Sequence, residues 1–476
     1  METYDLIVLG GGPAGCRAAL EFTRHKPKAR VALVERMAVV GGVCVNTGTI
    51  PSKTLREAVI HLSGYRQRDS QEEGSSLAPI TQEKLRGRIQ RVIALELATL
   101  EKQLGAAGVE LVSGSARFVS PHEVEVCGCE GSRRRRLWGA SIVIATGSEA
   151  ARTEGFPYDG ATVIIPDELM NLEGLPRSMI IIGGGVIGSE YASIYALAGV
   201  KVLLVDGRTS ILGFLDEEVR AVCVQEMERT GVVFRLGRNV AAVERTKSGS
   251  VRVVYKEGSE KEGGEKEGGE DEADLLVTAA GRVAATRDLD LAAAGLEADS
   301  RGRIPVDPVY RTRVPHIFAV GDVIGFPSLA ATATEQGRVV AAVAAGHPAP
   351  SLAPLLPFGI YTIPEMAALG PTERELAEKK QPYRVARGHV ADTSRGHISG
   401  QHVGLLKLLW DPGSRHILGV HLVGEGATEL VHVGHAVMAL GGTVDYFIES
   451  VFNYPTLAQV YKLAADEIAR ADIQEQ

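Results

Sequence analysis

The segment Leu6-Ile7-Val8-Leu9-Gly10-Gly11-Gly12-Pro13-Ala14-Gly15 sets four apolar residues directly before the spacing G-x-G-x-x-G. Four consecutive aliphatic residues read as a short strand buried on both faces. The glycines let the backbone turn sharply after that strand and bring a pyrophosphate to the N-terminus of the next helix. Cys16 to Thr23 reads as that helix, and Val31-Ala32-Leu33-Val34 as a second strand ending in Glu35. A carboxylate about 20 residues beyond the glycines accepts hydrogen bonds from ribose hydroxyls. A lone G-x-G-x-x-G is a weak signal; set between two apolar strands and closed by Glu35, it reads as a dinucleotide-binding unit.

The same unit recurs. Met179-Ile180-Ile181-Ile182 is a strand, Gly183-Gly184-Gly185-Val186-Ile187-Gly188 repeats the spacing, Ser189 to Ala198 is helical, and Val202 to Val205 is a strand ending in Asp206. Two dinucleotide units in one chain imply that two dinucleotides meet, the outline of a flavoprotein exchanging hydride with a nicotinamide.

Composition agrees with that outline. The chain has 476 residues, 45% hydrophobic and 23% charged, enough for two to four domains of roughly 100–200 residues and too apolar for global disorder. Fifty-five glycines with only 5% aromatics suit α/β domains rich in tight turns. A net charge of −8 offers no footprint for nucleic acid. No apolar run reaches the roughly 18–20 residues of a membrane helix, and the opening residues lack a basic leader, so a soluble cytoplasmic protein is expected. The five cysteines, Cys16, Cys44, Cys127, Cys129 and Cys223, are odd in number and thinly spread, which suits a reducing compartment. Cys127 and Cys129 alone are too few for zinc, and no metal site is expected. Cys16 reads as core.

Leu85, Ile89, Val92, Leu97, Leu100 and Leu104 recur at helical spacing and predict one long amphipathic helix over 81–105, best read as a packing face. Arg133 to Arg136 sit among Gly128, Gly131 and Gly139, which suggests a solvated hairpin tip. Residues 256–272 carry a Lys-Glu-Gly-rich pentapeptide written three times and predict a surface loop. With three lysines against eight acids, that loop holds −5 of the net −8. After the proline-rich stretch from His347 to Pro357, apolar segments such as Gly404–Leu408 and Ile417–His421, with a helix over Glu429–Leu440, predict a third domain of α+β type. Having no dinucleotide fingerprint, it is a natural surface for dimerisation.

Gly41-Gly42-Val43-Cys44-Val45-Asn46-Thr47-Gly48-Thr49-Ile50-Pro51-Ser52-Lys53 resembles the redox-active segment of the FAD-dependent pyridine-nucleotide disulfide oxidoreductases, the family of lipoamide dehydrogenase and glutathione reductase. The resemblance spans nearly the whole chain. It takes in Ala145-Thr146-Gly147-Ser148, Ala319-Val320-Gly321-Asp322 and Tyr454-Pro455-Thr456, in the family's order. It implies an α/β fold with FAD-binding residues 1–150 and 278–350, an NAD(P)-binding domain over 151–277, and a dimerisation domain over 351–476. FAD contacts would then fall to Gly10, Gly12, Gly15, Glu35, Gly42, Val43, Cys44, Lys53, Ala116, Thr146, Gly147, Asp322 and Ala330. Nicotinamide-nucleotide contacts would fall to Gly183, Gly185, Gly188, Glu190, Asp206, Arg208 and Gly281.

The departures sharpen the expected chemistry. Disulfide reductases of the family carry two cysteines with four residues between them; here the first is Cys44 and the second is Thr49. A hydroxyl cannot replace the sulfur that relays electrons. The family's His-Pro-Thr-x-x-Glu ending reads Tyr454-Pro455-Thr456-Leu457-Ala458-Gln459, so the near-neutral base and its carboxylate partner are both missing. This combination resembles the soluble pyridine nucleotide transhydrogenases within the family. It implies ping-pong hydride transfer between NADPH and NAD+ through FAD with no redox disulfide. Lys53 and Glu190 are expected to pair beside the flavin, with Thr49 and Tyr454 completing the catalytic surroundings. In the family the C-terminal motif reaches the flavin of a partner chain, so Tyr454 implies a homodimer.

Some readings stay open at this stage. Asp206 suits the 2′-hydroxyl of NAD, while Arg208 either meets the 2′-phosphate of NADP or is a solvated turn residue. Cys44 is either a reactive thiol or a small residue filling space. A diaphorase passing electrons to a quinone needs the same missing thiols. A silent FAD-holding subunit would show damage at the second fingerprint, Lys53 or Glu190, and all are intact.

Overall fold

The computed structural model describes residues 1–65, 80–128, 134–256, 269–351 and 354–474. The strand Glu2–Leu9 lies parallel to Val31–Glu35 on one side and to Arg135–Ile144 on the other. Leu6 to Leu9 are buried, as a strand covered on both faces requires. Glu110–Ser113 extends this sheet at one edge, while Glu123–Cys127 and Ser115–Ser120 continue it at the other. The short strand Ile317–Ala319 returns from far along the chain to pair with Ile142–Ile144.

A second parallel sheet runs in the order Val232–Leu236, Lys201–Asp206, Ser178–Ile182, Leu275–Thr278, Val163–Ile164. Beside it lie the antiparallel strands Val240–Arg245, Val251–Tyr255 and Glu270–Ala273. The C-terminal sheet is antiparallel, in the order Phe358–Ile360, Met366–Leu369, Ile417–Gly424, Gly404–Trp410, Arg384–His389. Helices Ala427–Ala439 and Gln459–Gln474 pack on it. A first sheet whose Rossmann-type core is parallel with two antiparallel strands at its edge, a second parallel sheet of Rossmann type and a third α+β unit are the fold class the sequence implies.

Two strands carry the crossings between the parallel sheets. The chain leaves the first through Ser148–Ala150 and comes back through Arg282–Ala284, and these segments form an antiparallel ribbon. One apolar core joins Leu55 and Val59, Ile181 and Ile194, and Ile360 and Met366, so all three units share packing. A shared core of this kind fixes the units relative to one another.

Several boundaries differ from the sequence reading, each for a local reason. The first fingerprint helix starts at Pro13 rather than Cys16 and runs to His25. Proline is at home in the first helical position, where its missing N–H has no intrahelical partner to lose. The second starts at Val186 and runs to Leu197. The long helix spans Gln82–Ala106, with the Thr81 hydroxyl accepting from the Lys84 N–H. It buries Leu85, Ile89 and Leu104, whereas Val92, Leu97 and Leu100 are only half-buried, so its packing face is narrower than the periodicity suggests.

The basic tetrad does flank a hairpin, with Arg134 and Arg136 exposed, but Arg135 departs from a solvated reading. Arg135 and Arg136 belong to the strand Arg135–Ile144, and the Arg135 guanidinium holds Glu2 and Glu110, at 2.7 Å for Glu110. Arg133, Cys129 and residues 257–268 of the repeat lie outside the described residues. The expected loop also ends early, because Glu270, Asp271 and Glu272 are paired with Val254, Val253 and Arg252 in a strand.

Candidate functional site

The two fingerprints fold alike, and their glycines divide the work in the same way. Gly10 has φ +105°, and a Cβ there would sit 2.4 Å from the Ala145 carbonyl oxygen. Gly183 has φ +113°, and its Cβ would meet the Ala279 oxygen at the same distance. A Cβ on Gly15 or Gly188 would lie 1.9 Å from the oxygen of Gly10 or Gly183. These third glycines allow the close approach of helix and strand. The middle glycines, Gly12 and Gly185, have nothing within 4 Å of a Cβ and stand at the N-termini of their helices with no side-chain cap. Uncapped N–H groups behind an open glycine are what a phosphate needs.

Each strand-end carboxylate closes its own glycine turn. Glu35 accepts from the Gly11 N–H at 2.7 Å and the Met37 N–H at 2.9 Å. Asp206 accepts from the Gly184 N–H at 2.6 Å. Arg208 folds back on Asp206, with Nη2 at 2.6 Å and Nε at 3.0 Å, so it is a paired residue rather than a free turn arginine. Burial works to raise the Asp206 carboxyl, but the Arg208 bonds and the Gly184 N–H outweigh it and hold the group below the usual range.

A cavity of about 860 Å³ opens beside the first fingerprint. Of the sequence candidates it gathers Gly10, Gly12, Glu35, Gly42, Val43, Cys44, Thr49, Lys53, Ala116, Thr146, Gly147, Asp322 and Ala330. The second unit reaches the same space through Val186, Ile187 and Glu190 on its helix. Asp206, Arg208, Gly183, Gly185 and Gly281 lie outside that lining, around the second fingerprint and the returning ribbon. Tyr454 also lies outside it; 65% exposed, it meets Ser394 on the C-terminal unit.

At the centre, Lys53 Nζ lies 2.6 Å from Glu190 Oε2. Lys53 comes from the helix Thr49–Leu62 and Glu190 from Val186–Leu197. The other Glu190 oxygen accepts from the Tyr361 N–H at 2.9 Å, and Lys53 Nζ stands 4.8 Å from the centre of the Tyr361 ring. The Lys53 side chain is 25% exposed and Glu190 only 5%, so the pair is anchored from behind and open toward the cavity. Tyr361, Thr428, Val431 and His432 bring the C-terminal unit into the wall. Sequence reading gave that unit no part in the cavity, because no motif marks these positions.

Cys44, in the short helix Gly42–Asn46, and Thr49, first residue of the helix Thr49–Leu62, both line the cavity beside the turn that joins the two helices. Burial pushes the Cys44 thiol up, and the Thr49 hydroxyl and the Lys53 charge only partly offset it. A protonated, unpaired Cys44 fits the space-filling reading better than the reactive one. Cys16 is buried, with Sγ 3.0 Å from the Gly11 carbonyl, and burial pushes it up to about 12.

The lining suits a flavin dinucleotide. Thr146 Oγ1 is buried with no partner among the described residues, a polar atom waiting for a ligand. Gly147, at φ +70°, leaves open space where a Cβ would stand. Ser148 and Arg282 also line the cavity beside Asp322; Ser148 stands in the Ala145–Ser148 motif and Arg282 follows Gly281, but the sequence marks neither as a site residue.

Residues 4–337 match the family model for pyridine nucleotide-disulphide oxidoreductases, and residues 356–465 match that family's dimerisation domain. The chain belongs to this family. Family membership makes it an FAD-dependent oxidoreductase. The chain is 43% identical over 469 residues, 98% of its own length and 97% of the other's, to a soluble pyridine nucleotide transhydrogenase from Mycobacterium bovis. It is 39% identical over 466 residues, 97% of both chains, to the soluble pyridine nucleotide transhydrogenase of Colwellia psychrerythraea. Among solved structures, LpdA from Mycobacterium tuberculosis superposes with a TM-score of 0.87 at 24% identity, covering 98% of this chain and all of that one. The HOCl-induced flavoprotein disulfide reductase RclA from Escherichia coli superposes at 0.85 with 25% identity, covering 98% and 100%.

No helix among the described residues is long and apolar enough to cross a membrane. Among them no group of three or more His, Cys, Asp or Glu side chains is placed to hold a metal ion.

Proposed function

We propose that the chain transfers hydride between NADPH and NAD+ as a pyridine nucleotide transhydrogenase and uses no redox disulfide. The observation that carries this is Thr49, which lines, together with Cys44, the cavity where both dinucleotide units meet. A disulfide reductase needs a second sulfur there to take electrons onward. FAD, when bound, supplies the two-electron carrier between the two nucleotides.

The protein's own residues do the binding and positioning. Gly12, Gly42 and the free N–H groups behind Gly12 receive the FAD pyrophosphate, and Glu35 its adenosine ribose. Val43, Cys44, Ala116, Thr146, Gly147, Asp322 and Ala330 line its length. Gly185 and the helix behind it receive the pyrophosphate of the nicotinamide nucleotide, and Asp206 and Arg208 sort NAD from NADP. Lys53 presents its charge beside the flavin ring, and Glu190 holds Lys53 in place at the nicotinamide side. No proton has to move in the hydride steps, so the absence of a histidine at Tyr454 costs nothing. We further infer a cytoplasmic homodimer in which Tyr454 faces the flavin of the other chain.

Anaerobic titration tests this reading. NADPH should bleach the flavin absorbance without a long-wavelength thiolate band, and NAD+ added afterwards should restore it. A flavin that NAD+ leaves reduced but a quinone reoxidises at once would overturn it in favour of a diaphorase.

A further inference from the structure

The ribbon that joins the two parallel-sheet units carries a relay of four polar groups. Arg282 Nε donates to the Ser148 hydroxyl at 2.8 Å, and Arg282 Nη2 donates to the Ser148 carbonyl at 2.7 Å. The Ser148 hydroxyl donates in turn to Asp322 Oδ2 at 2.6 Å. On its far side, Arg282 Nη1 lies 3.2 Å from Asp167 Oδ1. Asp167 belongs to the turn Pro166–Asn171, which enters the second parallel sheet, while Asp322 sits just after the strand Ile317–Ala319 of the first.

The direction of these bonds is fixed by chemistry. A guanidinium can only donate, so the Ser148 oxygen must accept from it, and its single proton is then free for the carboxylate. Asp322 thus has one oxygen occupied and the other available. All four residues line the cavity, so the free oxygen has a ligand space to face. The guanidinium has its own bonds on three nitrogens, a fork that a lysine could not reproduce.

We propose that Arg282 is a positioning residue that sets the Asp322 carboxylate for the flavin through Ser148, with Asp167 holding the guanidinium from the nicotinamide-nucleotide side. The inference rests on the reading of Asp322 as an FAD-holding residue. It makes the ribbon more than a connection: the grip on the cofactor depends on a side chain delivered by the segment that returns from the other unit. A nucleotide that shifts the turn around Asp167 would be felt at Asp322.

FAD affinity of the holoenzyme, read from flavin released on dilution, provides the test, with variants S148A, R282A, R282K, their double S148A/R282A, and D322N. Ser148→Ala and Arg282→Ala should each weaken FAD binding about tenfold, the effect of one charge-assisted hydrogen bond. The double variant should lose no more than the worse single, because both act on one path. Arg282→Lys should recover only part of the loss, which also guards against an alanine variant that fails to fold. Undiminished FAD affinity in S148A, or losses that multiply in the double variant, would overturn the relay while D322N still loses FAD. If D322N itself keeps full affinity, the reading of Asp322 falls and the relay falls with it.

Discussion

Lys53 and Glu190 stand 137 positions apart in sequence and 2.6 Å apart in space. Their helices belong to different dinucleotide units, so the contact exists only when both units are folded and docked. Lys53→Ala should lower the hydride-transfer rate about 100-fold, the scale for losing a preorganised charge at a reacting centre. Stopped-flow reduction by NADPH measures it directly. Glu190→Gln retains the acceptor for the Tyr361 N–H and should cost less, about tenfold.

Arg208 holds Asp206 with two nitrogens, and a 2′-phosphate would compete for the same guanidinium. Arg208→Ala should raise the KM for NADPH about tenfold and change that for NADH little. Equal effects on both nucleotides would remove Arg208 from the sorting of the two.

Replacing Thr49 with cysteine tests what the missing sulfur means. Thr49 lines the same cavity as Cys44, and it is the first residue of its helix, where a thiolate is stabilised. The T49C variant should form the disulfide in air and, once reduced, show a long-wavelength thiolate-to-flavin band. Disulfide-substrate turnover should stay low, because Tyr454 supplies no near-neutral base.

The native Cys44 should be slow to alkylate at neutral pH. Its thiol is raised by burial, so the thiolate fraction climbs only above the ordinary thiol range near 8.5. Peptide mapping after iodoacetamide treatment from pH 7 to 10 would follow this residue alone. Cys44→Ser should keep most of the transhydrogenase activity.

Lys407 is 1% exposed in the C-terminal sheet and reaches Asp216 at 2.9 Å and Glu218 at 3.1 Å in the second unit, with Glu373 as a third partner. Removing the buried cation leaves the buried Asp216 carboxylate without its ion-pair partner, while Glu218 keeps Arg387, and Lys407→Ala should cost about 3–5 kcal/mol of stability. Burial alone would lower the Lys407 pKa, but Glu373, Asp216 and Glu218 together raise it. A raised lysine contributes its stability in full below its unfolded value of about 10.4 and loses it as pH climbs through the folded value. Thermal melts should therefore show the wild type weakening at strongly alkaline pH and Lys407→Met lacking that step.

The legible parts of this protein are those where local chemistry repeats a rule. Strand, glycine turn and carboxylate lie within about thirty residues of each other, so Gly10 to Glu35 and Gly183 to Asp206 could be read without any three-dimensional information. The thiol-to-hydroxyl change at Thr49 was equally plain. What escaped reading depends on distant chain segments. Tyr361 enters the cavity by a backbone N–H, which any residue supplies, and Thr428 and His432 sit on a helix whose pattern speaks only of packing. Arg135 looked like one more charge in a basic run until the strand placed Glu2 and Glu110 around it. Spacing identifies Gly15 and Gly188 as fingerprint glycines, but only the fold shows that a side chain at either would strike the carbonyl of the glycine that follows its strand.

The peptide N–H of Tyr361 bears on how far this protein can be taken apart. It fixes the second oxygen of Glu190, and so ties the nicotinamide side of the cavity to the backbone of the C-terminal unit. That unit is consequently not an exchangeable module. A chimera carrying the C-terminal portion of a relative would inherit the relative's placement of Glu190, and with it a different geometry for every nucleotide that enters.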